Sequence, residues 1–396
     1  MNFRNICFIL AAATAAVQAV GASLPDSVPS FHTDKLTITP TARFLIDGAV
    51  YTPDGDGFNA GATIYDARAG FKASYADWSL RMEVGFGYGK FSVKDIYAQY
   101  RFNSRNAVRG GYFLHQFGIC PGLGSSMKSC FENPVIDTFF GVEERNIGVM
   151  YLHDSPMFLG TASAFVAGTS LTTPANEQGK TSYGGMTRLV ARPFHSTGNI
   201  AQVGLSASVQ SALHKAETVD GVTGPSEGYF NFTSNFPTRV CRTPMLGAYV
   251  SDARNVVKLS PELIVARGRL AAEAQYFWMS VARSHDRHAY QASGVYALLR
   301  GMVIGDDYGY NHGIAALANP APGSLEVVAG YSYTDATCPA AEVYGGRSND
   351  VSLTLNYYIN RYMLARLRYS YTDVSSSAVQ RNRHVNIIQA RFQVLF

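Results

Sequence analysis

Polar and apolar positions alternate along most of this chain with a period of two. In the clearest run, Trp78, Leu80, Met82, Val84, Phe86 and Tyr88 share one face, and Ser79, Arg81, Glu83, Gly85 and Gly87 share the other. Ile96, Ala98, Tyr100 and Phe102 oppose Asp95, Tyr97, Gln99 and Arg101 in the same way. The pattern returns near the end, where Met363, Ala365, Leu367, Tyr369 and Tyr371 oppose Arg366, Arg368, Ser370 and Thr372. Period-two alternation is the mark of strands with one apolar face, because successive side chains point to opposite sides of a sheet. Counted along the chain, it predicts about sixteen strands, near 36–47, 63–75, 78–89, 93–103, 106–117, 145–153, 158–168, 183–192, 199–210, 255–266, 269–282, 289–301, 324–335, 349–358, 362–373 and 384–396.

The apolar face has two possible destinations. In a soluble sandwich it packs on a second sheet. In a transmembrane barrel it meets lipid and the polar face lines the lumen. Tyrosines gather at the predicted strand ends (Tyr88, Tyr100, Tyr151, Tyr333, Tyr371), as interfacial girdles require. Connections also alternate between short turns, such as Ala76-Asp77, and long loops at 118–144, 171–181 and 211–245, which is the barrel rule. The fold expected is therefore all-β, a transmembrane antiparallel β-barrel of about sixteen strands. The segment 306–323 fits least well, because parity makes it a long connection at the short-turn end. An additional strand near 246–250 is compatible with the pattern.

Composition narrows the class further. The chain has 396 residues, 47% hydrophobic and 16% charged, which is too apolar for a disordered chain. Its 24 tyrosines, 23 phenylalanines and 37 glycines beside only 2 tryptophans suit strands. Mean hydropathy is −0.03, which excludes a bundle of membrane helices, each needing ~20 apolar residues. A net charge of +4 is far from the basic block of a nucleic-acid binder, so none is expected as a partner. Arg4, the apolar stretch Ile6 to Val17 and the small residues around Ala19 and Ala22 predict a signal peptide over 1–22. A short periplasmic segment over 23–34 and a barrel over 35–396 would follow, in a bacterial outer membrane.

Several stretches resemble the phosphate-selective porin O/P family. Val108-Arg109-Gly110-Gly111-Tyr112-Phe113-Leu114-His115-Gln116-Phe117-Gly118 is similar to the family's strand into its third loop, and Val142-Glu143-Glu144-Arg145-Asn146-Ile147-Gly148-Val149 to the strand returning from it. Ala272 to Trp278, Tyr290 to Tyr296, Ser324 to Tyr333 and Leu353 to Tyr358 follow in the family's order. The resemblance implies a trimeric channel, bordered by membrane lipid, whose third loop folds into the lumen. Selective members carry an arginine ladder and a basic constriction. Here the matching loop holds Lys128 and Arg145 against Glu132, Asp137, Glu143 and Glu144, so it is net acidic and phosphate specificity does not carry over.

Strand phase places Arg43, Arg68, Lys72, Arg81, Arg101, Arg109, Arg188, Arg192, Lys258, Arg269, Arg366, Arg368 and Arg391 in the lumen. It places Asp47, Asp66, Glu83, Asp95, Glu262, Glu273 and Glu326 there too. The basic excess predicts mild anion preference, unless the charges pair and merely hold the wall. The pairs Arg366/Arg368 and Arg188/Arg192 have the even spacing of a ladder.

Cys120 and Cys130 share one loop, and a disulfide would close it in an oxidising compartment. Cys241 and Cys338 offer a second bridge, with connectivity left open by spacing. Ser125-Ser126-Met127-Lys128 matches a penicillin-recognising nucleophile pattern without its partner motifs. Gly85-x-Gly87-x-Gly89-Lys90 lies on a strand instead of a strand-to-helix turn. Asp54 to Asn59 lacks a calcium loop's closing Glu, and His285-Asp286-x-His288 is an incomplete metal set. No enzyme, metal or cofactor is expected. The reading is a channel for small hydrophilic solutes with mild anion preference. Its rivals are a phosphate-type selective channel and a closed surface barrel such as an adhesin.

Overall fold

A computed structural model describes residues 28–396 apart from 29, 54, 120–122, 124–126, 131–137, 142–144, 221, 376 and 378. Sixteen antiparallel strands form one closed sheet, the last pairing with the first from Arg43↔Leu395 to Thr52↔Asn386. They are β1 (Leu36–Thr52), β2 (Gly61–Tyr75), β3 (Trp78–Gly85), β4 (Ser92–Arg101), β5 (Asn106–Leu114), β6 (Arg145–Asp154), β7 (Phe158–Val166) and β8 (Tyr183–Ser196). The second half comprises β9 (Asn199–Ser211), β10 (Ala253–Arg267), β11 (Leu270–Arg283), β12 (Tyr290–Ile304), β13 (Leu325–Cys338), β14 (Val343–Tyr358), β15 (Met363–Val374) and β16 (Arg383–Leu395). The two-residue strand Phe31–His32 folds back on Ile38 and Thr37 of β1.

The alternation of the sequence becomes an inside and an outside. On β10, Val257, Leu259, Leu263 and Val265 are exposed on the outer face, while Val256, Lys258, Ser260, Glu262 and Ile264 are buried on the inner one. Leu353 and Leu355 of β14 and Tyr369 and Tyr371 of β15 join that outer apolar band. At the short-turn end Trp78 packs against Tyr100 with tilted rings (centroids 4.9 Å), and Tyr100 meets Phe102 edge-on (5.2 Å), building one arc of an aromatic girdle. Outer apolar residues with inner polar ones match the pattern that lipid outside and water inside require.

The strands observed follow the predicted spans closely, and the strand at Pro244–Val250 lies outside the barrel count. It pairs with Phe230–Asn235 in a hairpin of the loop 212–252. That hairpin buries Phe230, Phe232, Met245, Leu246 and Val250 against inner residues of the wall, including Met279 and Val281 of β11 and Tyr290 of β12. The segment 305–324 is the long connection at the short-turn end that parity demanded. It carries a small hairpin (Tyr310–Asn311 with Ala316–Leu317) and buries Tyr308, Ala315, Ala316 and Leu317.

Candidate functional site

The lumen is filled from one side. From the long-loop end, the third loop (115–144) crosses to the wall formed by β9–β15. Gly118, where that loop turns, has φ +71°, and an added Cβ would sit 1.9 Å from Gln275 Nε2. Its amide donates to Ser206 Oγ (2.8 Å), and the Ile119 amide donates to Gln275 Oε1 (3.2 Å). Lys258 Nζ donates to the Phe140 carbonyl (2.6 Å). Arg366 donates to the carbonyls of Cys130 (2.7 Å) and Lys128 and to Asn356 Oδ1. The loop 212–252 is pinned in turn at the Pro237 carbonyl, by Arg368 (3.2 Å) and Gln389 (2.8 Å).

From the short-turn end, the loop 305–324 rises to meet the third loop. Arg188 donates two hydrogen bonds to the Glu262 carboxylate (3.0 and 2.6 Å) in a bidentate ion pair and donates to the carbonyls of Ile314 (2.7 Å) and Ala315 (3.0 Å). Arg192 donates to the His312 carbonyl (2.8 Å) and pairs with Asp154. Tyr310 donates to Gln202 (2.6 Å), and Tyr308 donates to Glu326 (2.8 Å). Ile119 and Leu123 of the third loop join Tyr308, Ala316 and Leu317 of this loop in one buried cluster.

These contacts correct the expected ladder. Arg188, Arg192, Arg366 and Arg368 are buried beneath the loops and spend donors on backbone carbonyls, carboxylates or, for Arg366, the Asn356 amide oxygen. Lys258 is sealed in the same way, and Arg391 donates two hydrogen bonds to the Asp47 carboxylate (2.6 Å each) in a bidentate ion pair. Arg269 is not on the wall: it lies exposed in the turn between β10 and β11. Arg145 is the first residue of β6 rather than part of the constriction loop, and it pairs with Asp95 (2.8 Å). Glu132, Asp137, Glu143, Glu144 and Cys120 lie outside the described residues. The Cys130 thiol is free and buried; Cys241 and Cys338 are also free, and Cys241 exchanges hydrogen bonds with the Asn59 backbone instead of bridging.

On the opposite wall Lys72 is exposed and Arg68, Arg81 and Lys94 are half-buried, while Arg43, Asp66 and Glu83 are buried. Arg43 and Arg68 share Asp66 (2.7 Å to each), and Arg68 also reaches Glu83 (2.9 Å), which Arg81 approaches at 3.0 Å. Lys72 and Lys94 have no ion-pair partner among the described residues. Lys94 was missed by phase reading, because the β3–β4 register shifts between Met82 and Val84. A bulge of this kind inserts a residue and flips the faces beyond it. Lys94 therefore lies inside, where a Cβ on the inward Gly85 would touch its Cε at 2.5 Å. Lower down, Arg109 lies over Tyr97 (4.2 Å) and donates to Gln99 (2.8 Å).

A closed barrel with a lipid-matched exterior and a partly open, basic lumen defines an outer-membrane channel. Short turns then face the periplasm and long loops the exterior. A family model described as "Phosphate-selective porin O and P" matches residues 55–396, and the chain belongs to that porin family. No curated protein matches the chain. Among solved structures it is similar to outer-membrane expressed OmpT of Vibrio cholerae, at 12% identity and TM-score 0.60, covering 93% of this chain and 100% of that one. It is also similar to an anion-selective porin from Comamonas acidovorans, at 11% identity and TM-score 0.57, covering 91% and 100%. An in-vitro folded OmpT described as a trimer form aligns at 11% identity and TM-score 0.57, covering 92% and 100%.

Proposed function

We propose that this porin passes small hydrophilic solutes by passive diffusion, with mild preference for anions, along the inner face of β2–β5. The observation that carries this is the basic wall on which Lys72, Arg68, Arg81, Lys94 and Arg145 keep part of their surface accessible. Arg43, Arg68, Lys72, Arg81, Lys94 and Arg145 face three carboxylates there, Asp66, Glu83 and Asp95, among the described residues. Among the described residues three positive charges then remain unbalanced on this wall, and a narrow, low-dielectric bore focuses such a field. The arginine–carboxylate pairs hold the wall, and the two lysine amines supply the mobile charge.

A homotrimer accompanies this reading. Strands β3–β7 have 8–10 residues, against 12–17 elsewhere in the barrel. At ~3.3 Å per residue and a tilt near 45°, such strands rise only about 19–23 Å, less than the ~25 Å apolar band. An outer groove over β6–β9, with Phe158, Leu189 and Val203 more than half exposed around Gly160 and Ala162, offers these short strands a partner surface. The test is reconstitution in a planar bilayer under a salt gradient. Stepwise currents closing in threes with an anion-positive reversal potential are expected. A cation-positive reversal would overturn the anion reading, and a silent bilayer the channel reading.

A further inference from the structure

The accessible wall does not end at the lysines. Where β4 and β5 reach the periplasmic rim, a cavity of about 210 Å³ lies between the barrel wall and the inward loop 305–324. Gln99, Arg101 and Arg109 line it from the strands, Arg105 from the turn, and Gly313 from the loop. Its one carboxylate, Asp154, is already paired with Arg192. Arg101 and Arg105 have no ion-pair partner among the described residues, and Arg109 keeps its orientation through Tyr97 and Gln99. Three guanidiniums thus border one small cavity without a carboxylate to spare for them.

We infer that this cavity is a second anion subsite at the periplasmic mouth, separate from the lysine-bearing wall above it. It rests on the reading of the lumen as an anion path. The occupant is one small oxyanion or short carboxylate with its water, since the space is below the ~300 Å³ at which drug-sized pockets begin. Planar guanidiniums suit such groups because their N–H forks match two oxygens at once. Arg101 and Arg109 belong to the inner face of the wall, so a free solute anion, not a lipid headgroup, is the ligand of this site. An anion held here would stand between the pore and the periplasm, making passage depend on the side of entry.

The test is block of single-channel chloride current by inorganic phosphate, added to one chamber and then to the other. In the wild-type channel, block from one chamber should need about fivefold less phosphate than from the other. R101Q/R105Q should lose that difference while keeping heat-modifiable mobility and an anion-positive reversal, and R101K/R105K should keep part of it. Block that is equal from both chambers, or a side difference that survives R101Q/R105Q, would overturn the subsite. A wild-type channel that is not anion-selective, yet loses a sided block in R101Q/R105Q, would sustain the subsite and overturn the proposed function instead. Should R101Q/R105Q not fold, R105Q alone, in an exposed turn, gives the same reading at about half the effect.

Discussion

Lys94 and Arg366 both point into the lumen, from opposite walls, and meet different surroundings. Arg366 is buried, with two loop carbonyls and Asn356 around its guanidinium. Lys94 is half-exposed beside Arg68 and Arg145 and has no ion-pair partner among the described residues. The same contrast runs through the two halves of the barrel. On β1–β6 basic side chains face carboxylates across the strands and keep one side accessible. On β8–β16 Arg188, Arg192, Lys258, Arg366 and Arg368 are buried and donate to the backbone of inserted loops, with Arg188, Arg192 and Arg368 also paired to carboxylates. A guanidinium that donates to carbonyls in a dry interface is structural, each such bond contributing about 1.5–3 kcal/mol. A side chain that keeps its hydration can act on passing ions. Charge type and strand phase are shared by the two walls, so it is loop coverage that separates a charge that carries selectivity from one that carries architecture.

The largest test of this contrast is Arg188→Met. It leaves Glu262 buried with only Gln202 beside it and unclamps the loop at Ile314 and Ala315. Breaking a buried pair from one side costs about 3–5 kcal/mol, so heat-induced loss of the folded gel species should move several degrees down. Reversal potential should stay near the wild-type value. Lys94→Glu should do the opposite. Reversal should shift toward cations, and stability should change by no more than about 0.5 kcal/mol, as for most substitutions away from packed sites. If Arg188→Met changes selectivity more than Lys94→Glu does, the division of the lumen into two walls fails.

A smaller effect concerns pH at the periplasmic loop. Partial desolvation at an exposed site, Arg192 and His195 together hold the His312 imidazole below its ordinary range, with Asp154 opposing them and the Tyr310 ring alongside. The folded state therefore takes up this proton less readily than the unfolded chain. The stabilisation is present above about pH 6.5 and is lost as pH falls through the depressed value. Proteolysis within the loop should accordingly increase between pH 7.5 and pH 5. His312→Asn should flatten that dependence while leaving the reversal potential unchanged.

Much of the fold was legible in the sequence, since period-two alternation is a local property. It located sixteen strands, the long loops and the unusual connection at 306–323. The lumen was less legible. Alternation tells which residues point inward but not what will cover them, and coverage comes from loops distant in sequence. That is why Arg366 and Arg368, the best-spaced pair, prove to be anchors for backbone more than a hundred residues away. One signal was present: Phe230, Phe232, Phe236, Met245 and Leu246 are too apolar for an exposed loop. Lys94 was lost for a different reason, because a bulge shifts phase by one residue without a mark in composition.

Filling from one side also sets the outline of the aperture. With the described loop residues docked against β9–β15, the aperture expected beside β2–β5 is a crescent rather than a central disc. A disc sieves by overall girth. A crescent sieves by the thinnest dimension a solute can present, so a flat or extended molecule passes where a rounder one of equal mass is stopped.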